Sequence, residues 1–522
     1  MTSDRNRRNF LTAAAGAAAF TIVPRHVLGQ GMVAPSDKIT LAHIGTGTEG
    51  LREMLELIAI PEIRIVAVCD PNRHATNYRD WDKTGLRNSI RGAIGKPDWK
   101  PSSDSNITVP GGREVGKDVV ESYYAKTQPG GTYKGCAAYA DFREMFDKEK
   151  DIDAVKIMTP DHLHALIAVA AMKRGKHVIV HKPLSNRLKE AQLVVETARK
   201  TGVSTHFMPW DSNGSMDQVM AWIKDGSIGT LREIHNCTNR PVWPQWATLP
   251  ADKPPIPEGF DWNLWLGPEA ERPYHPNYTN MTFRGWYDFG GGSMADMGHY
   301  SLWTVFNALD LQGPVSIEPM LSHNCEIQDS AADTIQNDFS FPTASVVRFK
   351  YPARGSRPPV DLYWYEGGMR PPQPDELDED HQSIPAEAML FVGDKGKILT
   401  GFNIQNPRLI PARRMQGQPT AQAEARRGQG GGPRISEGLQ QWVKACKGDK
   451  TLSKGNFLNA GPISEAVNLY AIALRVAPTL LGQRNGQGKL LYDAEKQTFT
   501  NYPAADKYLS REYRQGFDPA TA

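Results

Sequence analysis

Three short segments of the chain carry side chains that could do chemistry together. A glycine-rich segment occupies residues 45–50 (GTGTEG), a His-Lys-Pro segment occupies 181–183, and an Asp-Met-Gly-His segment occupies 296–299. A glycine loop can bind the phosphates of a nucleotide, a lysine ammonium can stabilise a developing alkoxide, and a histidine can exchange a proton near neutral pH. The three segments therefore predict one cleft in which a cofactor, a buried cation and an imidazole base meet.

The glycine-rich segment lies between a predicted strand at 39–44 (ITLAHI) and a predicted helix at 51–59. In such a unit Gly45 permits a tight turn, Gly47 lets a pyrophosphate approach the backbone, and Gly50 lets the helix pack on the strand. A glycine turn in another kind of α/β unit is the alternative. The cofactor contacts predicted for this segment are Gly45, Thr46, Gly47, Thr48, Glu49 and Gly50.

A second predicted strand, at 63–69, ends at Asp70. An acid at this position can bind a ribose hydroxyl of the adenosine. The Asp70 carboxylate would repel a 2′-phosphate, so the sequence favours NAD over NADP as the cofactor. Arg73 is close enough in the chain to leave NADP open.

Helices and strands alternate from residue 139 onward, which predicts a parallel, doubly wound sheet. The predicted helices are 141–149, 163–174 and 187–201, and the predicted strands are 152–158, 177–181 and 203–208. Because ligands of such sheets bind beyond the carboxyl ends of the strands, we assign Thr159, Pro160 and His164 to the cofactor side. We expect His164 near the nicotinamide ribose, with a purely structural role as the alternative. His162 and His164 lack a third ligand, so the sequence predicts no metal site.

Residues 1–30 predict an export signal rather than a part of the fold. Arg7 and Arg8 precede an alanine-rich apolar stretch, and no acidic residue lies between Arg5 and Gly31. This pattern is typical of a twin-arginine signal, and the stretch is too short to span a bilayer comfortably. We expect a periplasmic protein that is exported folded and has no membrane contact after the signal is removed. A retained anchor or a frayed basic N-terminus is the alternative.

The composition agrees with a soluble enzyme of two domains. The 522 residues are 40% hydrophobic and 23% charged, with a formal net charge of +2. Since no long basic block is present, the sequence predicts no nucleic-acid partner. The five cysteines form no CxxC pair, so neither a zinc knuckle nor a disulfide framework is indicated, although one bridge is open in an oxidising compartment.

The pattern of the sequence changes near residue 212 and predicts a second domain. We place a Rossmann domain at 38–211 with an insertion at about 82–134, a C-terminal domain at 212–480 and a tail at 481–522. The second domain is predicted to be α+β with a large, open, mostly antiparallel sheet, its strands at 230–240, 333–341, 344–350, 360–365 and 389–399. Its predicted helices are 215–225, 435–447 and 462–480. The Arg-, Gln- and Gly-rich stretch at 411–434 predicts a mobile loop.

Five of the 12 tryptophans lie between residues 243 and 286. Indole faces stack on sugar rings while arginine, aspartate and histidine side chains bind hydroxyls, so this segment predicts a carbohydrate cleft. Aromatic packing under a long loop is an equally open alternative for each tryptophan. The predicted substrate contacts are Trp243, Trp246, Arg284, Trp286, Asp296 and His299.

The order of several motifs resembles that of the Gfo/Idh/MocA family, which includes glucose-fructose oxidoreductase and inositol dehydrogenase. These motifs are the glycine loop, Thr-Pro-Asp-His-Leu-His at 159–164, His-Lys-Pro at 181–183, Asp-Trp-Asn-Leu-Trp-Leu-Gly-Pro at 261–268 and Phe-Gly-Gly-Gly-Ser-Met-Ala-Asp-Met-Gly-His at 289–299. The resemblance covers about residues 38 to 480 and is nearest to the exported, tryptophan-rich branch. It implies a Rossmann domain, a C-terminal domain that supports the substrate site, tightly bound NAD or NADP, and a homo-oligomer, either a dimer or a tetramer.

The resemblance also implies catalytic roles. Lys182 matches the lysine of the family's Glu-Lys-Pro motif, and Asp296 and His299 match its acid and its histidine near a helix start. By this match Lys182 holds the reacting hydroxyl beside the nicotinamide, His299 takes the hydroxyl proton, and Asp296 orients it or binds a neighbouring hydroxyl. Two features depart from the family pattern. His181 replaces the usual glutamate, and Met-Pro-Trp-Asp at 208–211 lacks the usual Asn/Gln-Arg pattern.

The expected function is hydride transfer between a carbohydrate or polyol hydroxyl and a bound nicotinamide. Because an exported enzyme has no obvious pool of free cofactor, we expect the cofactor to stay bound and to be restored within each cycle. Alternating oxidation and reduction of two sugars would achieve this. Redox-neutral cleavage of a glycoside through a transient ketone would also achieve it, with His181 as a candidate base for a ring C–H. A binding protein that retains nucleotide without catalysis is the third hypothesis.

Overall fold

A computed structural model describes residues 33–80, 84–99, 108–128, 130–208, 215–335, 337–416, 436–482 and 488–522. The predicted export signal at 1–30 lies outside these residues, as do residues 209–211 of the Met-Pro-Trp-Asp segment and most of the loop predicted at 411–434. The domain boundary predicted at 211 stays a prediction for the same reason.

The N-terminal part is built on a parallel sheet. Its strands in chain order are β1 (Ile39–Ile44), β2 (Ile63–Cys69), β3 (Ala75–Arg79), β4 (Thr108–Gly111), β5 (Ala137–Tyr139), β6 (Ala154–Ile157), β7 (His177–His181) and β8 (Thr205–Met208). The sheet has the order β5-β2-β1-β6-β7-β8, and every neighbouring pair is parallel. The direction of strand addition reverses between β1 and β6, which confirms the predicted doubly wound sheet and leaves a crevice at the carboxyl ends of these two strands.

Helices cover both faces of this sheet, as the alternating pattern predicts. They are α1 (Thr48–Ile58), α2 (Gly85–Ile94), α3 (Arg113–Ala125), α4 (Phe142–Lys148), α5 (His164–Lys173) and α6 (Leu188–Thr201). Helix α5 is apolar on all sides, and residues 164–172 are all buried. Such a helix belongs in a core, and α5 packs against β6, β7 and α6.

The segment interpreted as an insertion, 82–134, contributes to the Rossmann fold itself. Within it α3 packs against β2 and β5 and therefore serves as the crossover helix between those strands. Strands β3 and β4 pair antiparallel and form a ribbon beside the glycine loop. The Thr48 hydroxyl donates a 2.9 Å hydrogen bond to the Arg79 carbonyl, and the Gly112 N–H donates one of 3.1 Å to the Thr46 carbonyl. The ribbon is thus fastened to the loop at both ends.

The C-terminal part contains a second, larger sheet. Its strands in chain order are β9 (Leu231–Cys237), β10 (Ser316–Leu321), β11 (Cys325–Gln328), β12 (Ala331–Thr334), β13 (Ser345–Tyr351), β14 (Val360–Glu366), β15 (Ala388–Gly393), β16 (Lys397–Gly401), β17 (Arg408–Ile410), β18 (Leu490–Asp493) and β19 (Thr498–Phe499). The sheet order is β17-β16-β15-β9-β14-β13-β10-β18-β19. Strands β9 and β14 are parallel, and the other neighbouring pairs are antiparallel. The mostly antiparallel sheet is confirmed.

The helices of this part are α7 (Met216–Lys224), α8 (Trp262–Leu266), α9 (His299–Leu309), α10 (Asp375–Glu379), α11 (Glu437–Cys446) and α12 (Gly461–Gly482). One predicted strand, 333–341, is wrong. Its first residues belong to β12, which pairs with β11 in an exposed hairpin, and residues 337–340 form a turn. The side-chain oxygen Oδ1 of Asn337 accepts hydrogen bonds from the N–H groups of Phe339 and Ser340 at 3.1 and 2.9 Å, which makes a local turn that competes with a strand.

Residues 488–522, which fall in the tail predicted at 481–522, belong to the fold. Strands β18 and β19 form one edge of the large sheet. Beyond them Arg511 is buried, with its Nε 2.7 Å from Glu190 Oε1 on α6 and its Nη1 in contact with Glu269 Oε1. All five cysteines lie within the described residues and are free thiols. Across the ranges that the structure describes, no helix has the length and apolar character needed to cross a membrane.

Glu366, at the end of β14, is a fully buried carboxyl group. It accepts hydrogen bonds from Ser345 Oγ at 2.6 Å, from Trp364 Nε1 at 2.9 Å and from Tyr470 Oη at 2.7 Å. Burial raises the pKa of Glu366 to about 7 even though these donors oppose the shift. Folding therefore favours the protonated form, so this group supports stability at low pH and loses that contribution as the pH rises through its folded pKa.

We expect Arg511→Met to lower the free energy of unfolding by about 3 to 5 kcal/mol, because it takes a partner from two buried carboxylates. Urea denaturation followed by tryptophan fluorescence measures the change. Lys496→Met is the matched control, since the Lys496 side chain is 77% exposed in its pair with Asp493, and its effect should stay within about 0.5 kcal/mol. Equal stability of Arg511→Met and the unchanged protein would contradict the assignment.

Glu366→Gln should flatten the pH dependence of stability. The unchanged protein is expected to lose up to about 3 kcal/mol of unfolding free energy between about pH 5 and pH 8 through this group, whereas a glutamine does not titrate. Melting temperatures of the two proteins at several pH values within that window give the difference. Glu326→Gln on the exposed strand β11 serves as the control, and an unchanged pH profile in Glu366→Gln would contradict the raised pKa.

Candidate active site

The glycine loop has the geometry of a phosphate-binding turn. Gly45 has a φ of +93°, and a Cβ atom there would lie 2.5 Å from the Met158 carbonyl oxygen. A Cβ atom at Gly50 would lie 2.2 Å from the Gly45 carbonyl oxygen, so both positions require glycine. Gly47 is the N-cap of α1, and no side chain of the described residues caps it. The N–H groups of the first turn are therefore available to an anion, which fits a dinucleotide.

Asp70 orders this loop. Its Oδ2 accepts hydrogen bonds from the Thr46 N–H at 2.8 Å and the Thr46 hydroxyl at 3.0 Å, and its Oδ1 accepts one from the Asn72 N–H at 2.8 Å. Burial raises the pKa of Asp70, opposed by these hydrogen bonds. The residue also lines the cleft described next, and its contact with a ribose hydroxyl stays a prediction.

A cleft of about 690 Å³ opens beside the glycine loop. Its walls come from the loop, from residues 70–79, from 158–160, from His181 and from 274–284 of the C-terminal part. This is the crevice at the carboxyl ends of the parallel strands, where such sheets bind ligands. Its volume is in the range of small-molecule sites, about 300 to 1,000 Å³. The predicted cofactor residues Gly45, Gly47, Thr48, Glu49, Gly50, Asp70, Thr159 and Pro160 all line it.

Lys182 and Asp296 meet as the sequence predicts. Lys182 Nζ lies 2.6 Å from Asp296 Oδ1, and Arg284 Nε lies 3.1 Å from the same oxygen. Arg240, which sequence reasoning missed, places its Nε 3.4 Å from Asp296 Oδ2. Its only signal was a basic residue at the end of the strand predicted at 230–240. The Lys182 ammonium also lies 5.3 Å from the centre of the Tyr300 ring. One carboxylate is therefore surrounded by three cations.

These charges shift the pKa values of the group. Burial opposes ionisation of Asp296, but Lys182 and Arg284 overcome it and hold the pKa of Asp296 well below its usual range. Burial lowers the pKa of Lys182 and Arg284 lowers it further, while Asp296 acts in the opposite direction. A lysine with a lowered pKa exchanges protons more readily near neutral pH.

His299 begins α9, directly after a π-helical turn at Met294–Gly298. Its ring is 1% exposed and packs edge-on against Phe207 at 5.1 Å between ring centres. Nδ1 lies 3.3 Å from the Ala295 carbonyl oxygen, and Nε2 has no hydrogen-bond partner among the described residues. Burial and the charge of Lys182 lower the pKa of His299 to about 3. The imidazole is therefore neutral and is not part of the cleft wall.

His181 lines the cleft and has a partner that sequence reasoning missed. Its Nδ1 lies 2.6 Å from Oε1 of Glu53 on α1, and Oε2 of Glu53 contacts Lys156 Nζ on β6. Burial lowers the pKa of His181 to about 4, with Glu53 opposing the shift. The signal for this cluster was present in the sequence, because Glu53 lies within the apolar stripe of α1 and Lys156 lies within an apolar strand.

His164 does not line the cleft. Its Nδ1 is 2.5 Å from the Pro183 carbonyl oxygen and its Nε2 is 2.8 Å from the Thr159 carbonyl oxygen. The ring thus connects the turns after β6 and β7. His164 therefore has the structural role that was the alternative to a ribose contact. His162 is likewise held between the carbonyl oxygens of Trp265 and Phe289. In the part of the chain that the structure describes, no group of three or more His, Cys, Asp or Glu side chains could hold a metal ion.

The tryptophans predicted as sugar platforms are packing residues. Trp286 is 1% exposed, stacks on Trp246 at 4.2 Å and donates its Nε1–H to the Asn277 carbonyl oxygen. Trp243 is buried as well. Large aromatic side chains bury much apolar area when they pack under a long segment, which stabilises the fold. The burial of Trp243 and Trp286 corrects their predicted role as substrate contacts. The aromatic residues on the cleft wall are instead Phe260, Trp265, Tyr274, Tyr78 and Phe283, and Arg284 is there as predicted.

Curated relatives match parts of the chain. The 1,5-anhydro-D-fructose reductase of Ensifer adhaerens is 33% identical over 250 residues, which are 45% of this chain and 62% of the relative. The levoglucosan dehydrogenase of Pseudarthrobacter phenanthrenivorans is 33% identical over 94 residues, 18% of this chain and 24% of the relative. A glycosyl hydrolase family 109 protein of Shewanella baltica is 24% identical over 244 residues, 43% of this chain and 44% of the relative. The chain thus spans between a quarter and just under two thirds of these relatives.

Two family models match the two halves of the fold. Residues 116–207 match the NAD-binding Rossmann fold of the Gfo/Idh/MocA oxidoreductases, from α3 to β8. Residues 234–337 match the C-terminal alpha/beta domain of the same family, which includes Arg240, Arg284, Asp296 and His299. The order of the two matches is that of the Rossmann and mixed sheets in the structure. The chain is therefore similar, over these two segments, to both domains of the Gfo/Idh/MocA family of oxidoreductases.

Proposed function

We propose that the protein is an NAD-dependent oxidoreductase that acts on a hydroxyl group of a carbohydrate or polyol. The observation that carries this proposal is the Lys182–Asp296 pair, which lies at the carboxyl end of β7 next to a cleft that fits a dinucleotide. The two relatives at 33% identity are named as a reductase and a dehydrogenase of sugar derivatives. Bound NAD would supply the acceptor or donor of the hydride.

The chain's own residues would bind and polarise the substrate. A substrate hydroxyl that displaces Arg284 from Asp296 reaches the Lys182 ammonium, which holds the oxygen and stabilises negative charge on it as the C–H bond breaks. Asp296 keeps Lys182 in place, and Arg284 and Arg240 bind neighbouring hydroxyls. The hydroxyl proton passes to one of two imidazoles, His299 or His181.

We also propose that the protein works outside the cytoplasm with its cofactor retained. The twin-arginine pattern at residues 1–30 motivates the location, and the walls of the cleft support retention. The ribbon of β3 and β4 is fastened to the glycine loop, and residues 274–284 form the opposite wall. A dinucleotide enclosed by both walls would leave slowly, so oxidation and reduction of substrates would alternate on one bound cofactor.

Redox-neutral cleavage of a glycoside is the second candidate. The presence of an imidazole on the cleft wall, His181, favours it, since the elimination needs a base for a ring C–H. One relative at 24% identity is also named as a glycosyl hydrolase. The two candidates differ in what accumulates: reduced cofactor and oxidised sugar in the first, free aglycone without net reduced cofactor in the second.

A first test uses purified holoprotein with its nucleotide identified after denaturation. Absorbance near 340 nm is followed as single sugars, polyols and aryl glycosides are added. A lasting rise with a free sugar, reversed by a second sugar, supports the oxidoreductase. Release of aglycone with no net rise supports glycoside cleavage, and absence of both with sugar still bound would contradict an enzymatic function.

Lys182→Met should reduce turnover of the identified sugar by at least about 100-fold, because the site loses its charge at the developing alkoxide. NADH affinity, measured by fluorescence titration, should change less than threefold. Lys176→Met is the matched control, since Lys176 precedes the same strand and its ammonium donates a hydrogen bond to the Lys150 carbonyl. Undiminished turnover in Lys182→Met would contradict the proposed role.

Asp70→Ala should weaken NADH binding by about tenfold or more, since the loop loses three hydrogen bonds to a carboxylate. It should also reduce the preference for NADH over NADPH, because the negative charge facing a 2′-phosphate is removed. Fluorescence titration of the apoprotein with both nucleotides gives the two constants. Asp98→Ala, an exposed acid of the same part of the chain, is the control and should change neither.

A further inference from the structure

An imidazole that takes the substrate proton must face the cleft and must be able to carry a positive charge. His299 meets neither condition, because its ring is 1% exposed and no carboxylate of the described residues pairs with it. The nearest charges that act on it, from Lys182 and His181, both disfavour a second proton. A neutral imidazole in that position packs against Phe207 and supports α9.

His181 meets the first condition, and the Glu53 carboxylate supplies the counter-charge that the second requires. His181 lines the cleft, and its Nδ1 lies 2.6 Å from Glu53 Oε1. Because Nδ1 is turned to the carboxylate, Nε2 at the opposite side of the ring is the nitrogen left for the cleft. A carboxylate oxygen 2.6 Å from Nδ1 favours the tautomer that carries its proton there and stabilises the imidazolium that forms when Nε2 accepts a second one.

Glu53 is itself held in place. Its second oxygen contacts Lys156, a lysine whose side chain is 1% exposed in the middle of the parallel sheet. Burial opposes ionisation of Glu53, but Lys156 and then His181 hold its pKa well below the usual range, so the carboxylate stays charged. The charged groups that face His181 are therefore Glu53 from α1, Lys156 from β6 and Lys182 from its own segment.

We propose that Glu53 and His181 form a carboxylate–imidazole dyad in which His181 Nε2 exchanges the proton of the substrate hydroxyl and Glu53 is its positioning residue. The proposal rests on the proposed function. In the oxidation the O–H bond breaks and its proton goes to Nε2, the C–H bond breaks and its hydride goes to the oxidised nicotinamide, and a C=O bond forms. The substrate loses two electrons, the cofactor gains them, and reduction of a second sugar takes the proton back.

The first measurement is nitrogen NMR of the apoprotein labelled in its histidine rings, with His181→Gln to assign the signals. At pH 7 we expect His181 to carry its proton on Nδ1 and to have a bare Nε2. Glu53→Gln should convert this into a mixture of tautomers. A protonated Nε2 in the unchanged protein would overturn the dyad, and this readout does not depend on any substrate.

The second measurement is turnover of the sugar found with holoprotein. His181→Gln should lower kcat by about 100-fold or more, in the range of a lost general base. Glu53→Gln should lower kcat by about 10- to 100-fold, and the double variant should be no worse than His181→Gln because the two residues act through one another. In both single variants NADH affinity should stay within threefold.

Lys156→Met is the matched control for a purely structural role. It removes the other partner of Glu53 and leaves the His181 contact, so the tautomer should stay as in the unchanged protein even if stability falls. Equal tautomer changes in Lys156→Met and Glu53→Gln would show that Glu53 acts only on the fold. A complete loss of turnover in His299→Gln with activity preserved in His181→Gln would overturn the proposal.

The outcomes separate this proposal from the function on which it rests. Turnover in the unchanged protein that survives His181→Gln overturns the dyad and leaves the oxidoreductase intact. No turnover with any sugar, polyol or glycoside overturns the proposed function and, with it, the catalytic use of the dyad. An Nδ1-protonated His181 would in that case still establish the Glu53 contact as a feature of the fold.

Discussion

Buried charges at the carboxyl edge of the parallel sheet must have counter-charges, and this constraint organises the site. Taking an ion out of water costs several kcal/mol, and only a close partner of opposite sign offsets that cost. Asp296 has three cations around it, and Glu53 lies between Lys156 and His181. The members of each cluster come from different elements, so charge compensation holds a helix, a sheet and a C-terminal segment in one arrangement.

The two clusters differ in their net charge. Around Asp296 the cations outnumber the carboxylate, and the surplus suits a site in which negative charge develops on a substrate oxygen. The Glu53 carboxylate contacts both the Lys156 ammonium and the His181 imidazole. This arrangement suits reversible protonation of the imidazole. The cleft is therefore bordered by a cationic cluster and by a cluster that can exchange a proton.

Hydrophobic periodicity was sufficient to predict most strands and helices of both sheets, because core positions recur at fixed spacing. Motif order was sufficient to bring Lys182 and Asp296 together. Glu53 was missed because helical periodicity alone does not show that a carboxylate within the apolar stripe of a helix has a buried partner. Trp286 was wrongly assigned to the substrate site because composition gives the type of a side chain and not its exposure. The turn at Asn337 was missed because two hydrogen bonds to one side-chain oxygen stabilise it.

Arg511 contacts Glu190 and Glu269, two residues that the ribosome synthesises long before it. Helix α6, which carries Glu190, leaves the ribosome long before residue 511 does. Until Arg511 has been synthesised, the Glu190 and Glu269 carboxylates lack this partner, and the nascent fold is less stable. This contact therefore forms only after residue 511 has been made, so a product truncated before Arg511 would be less stable and more exposed to proteases.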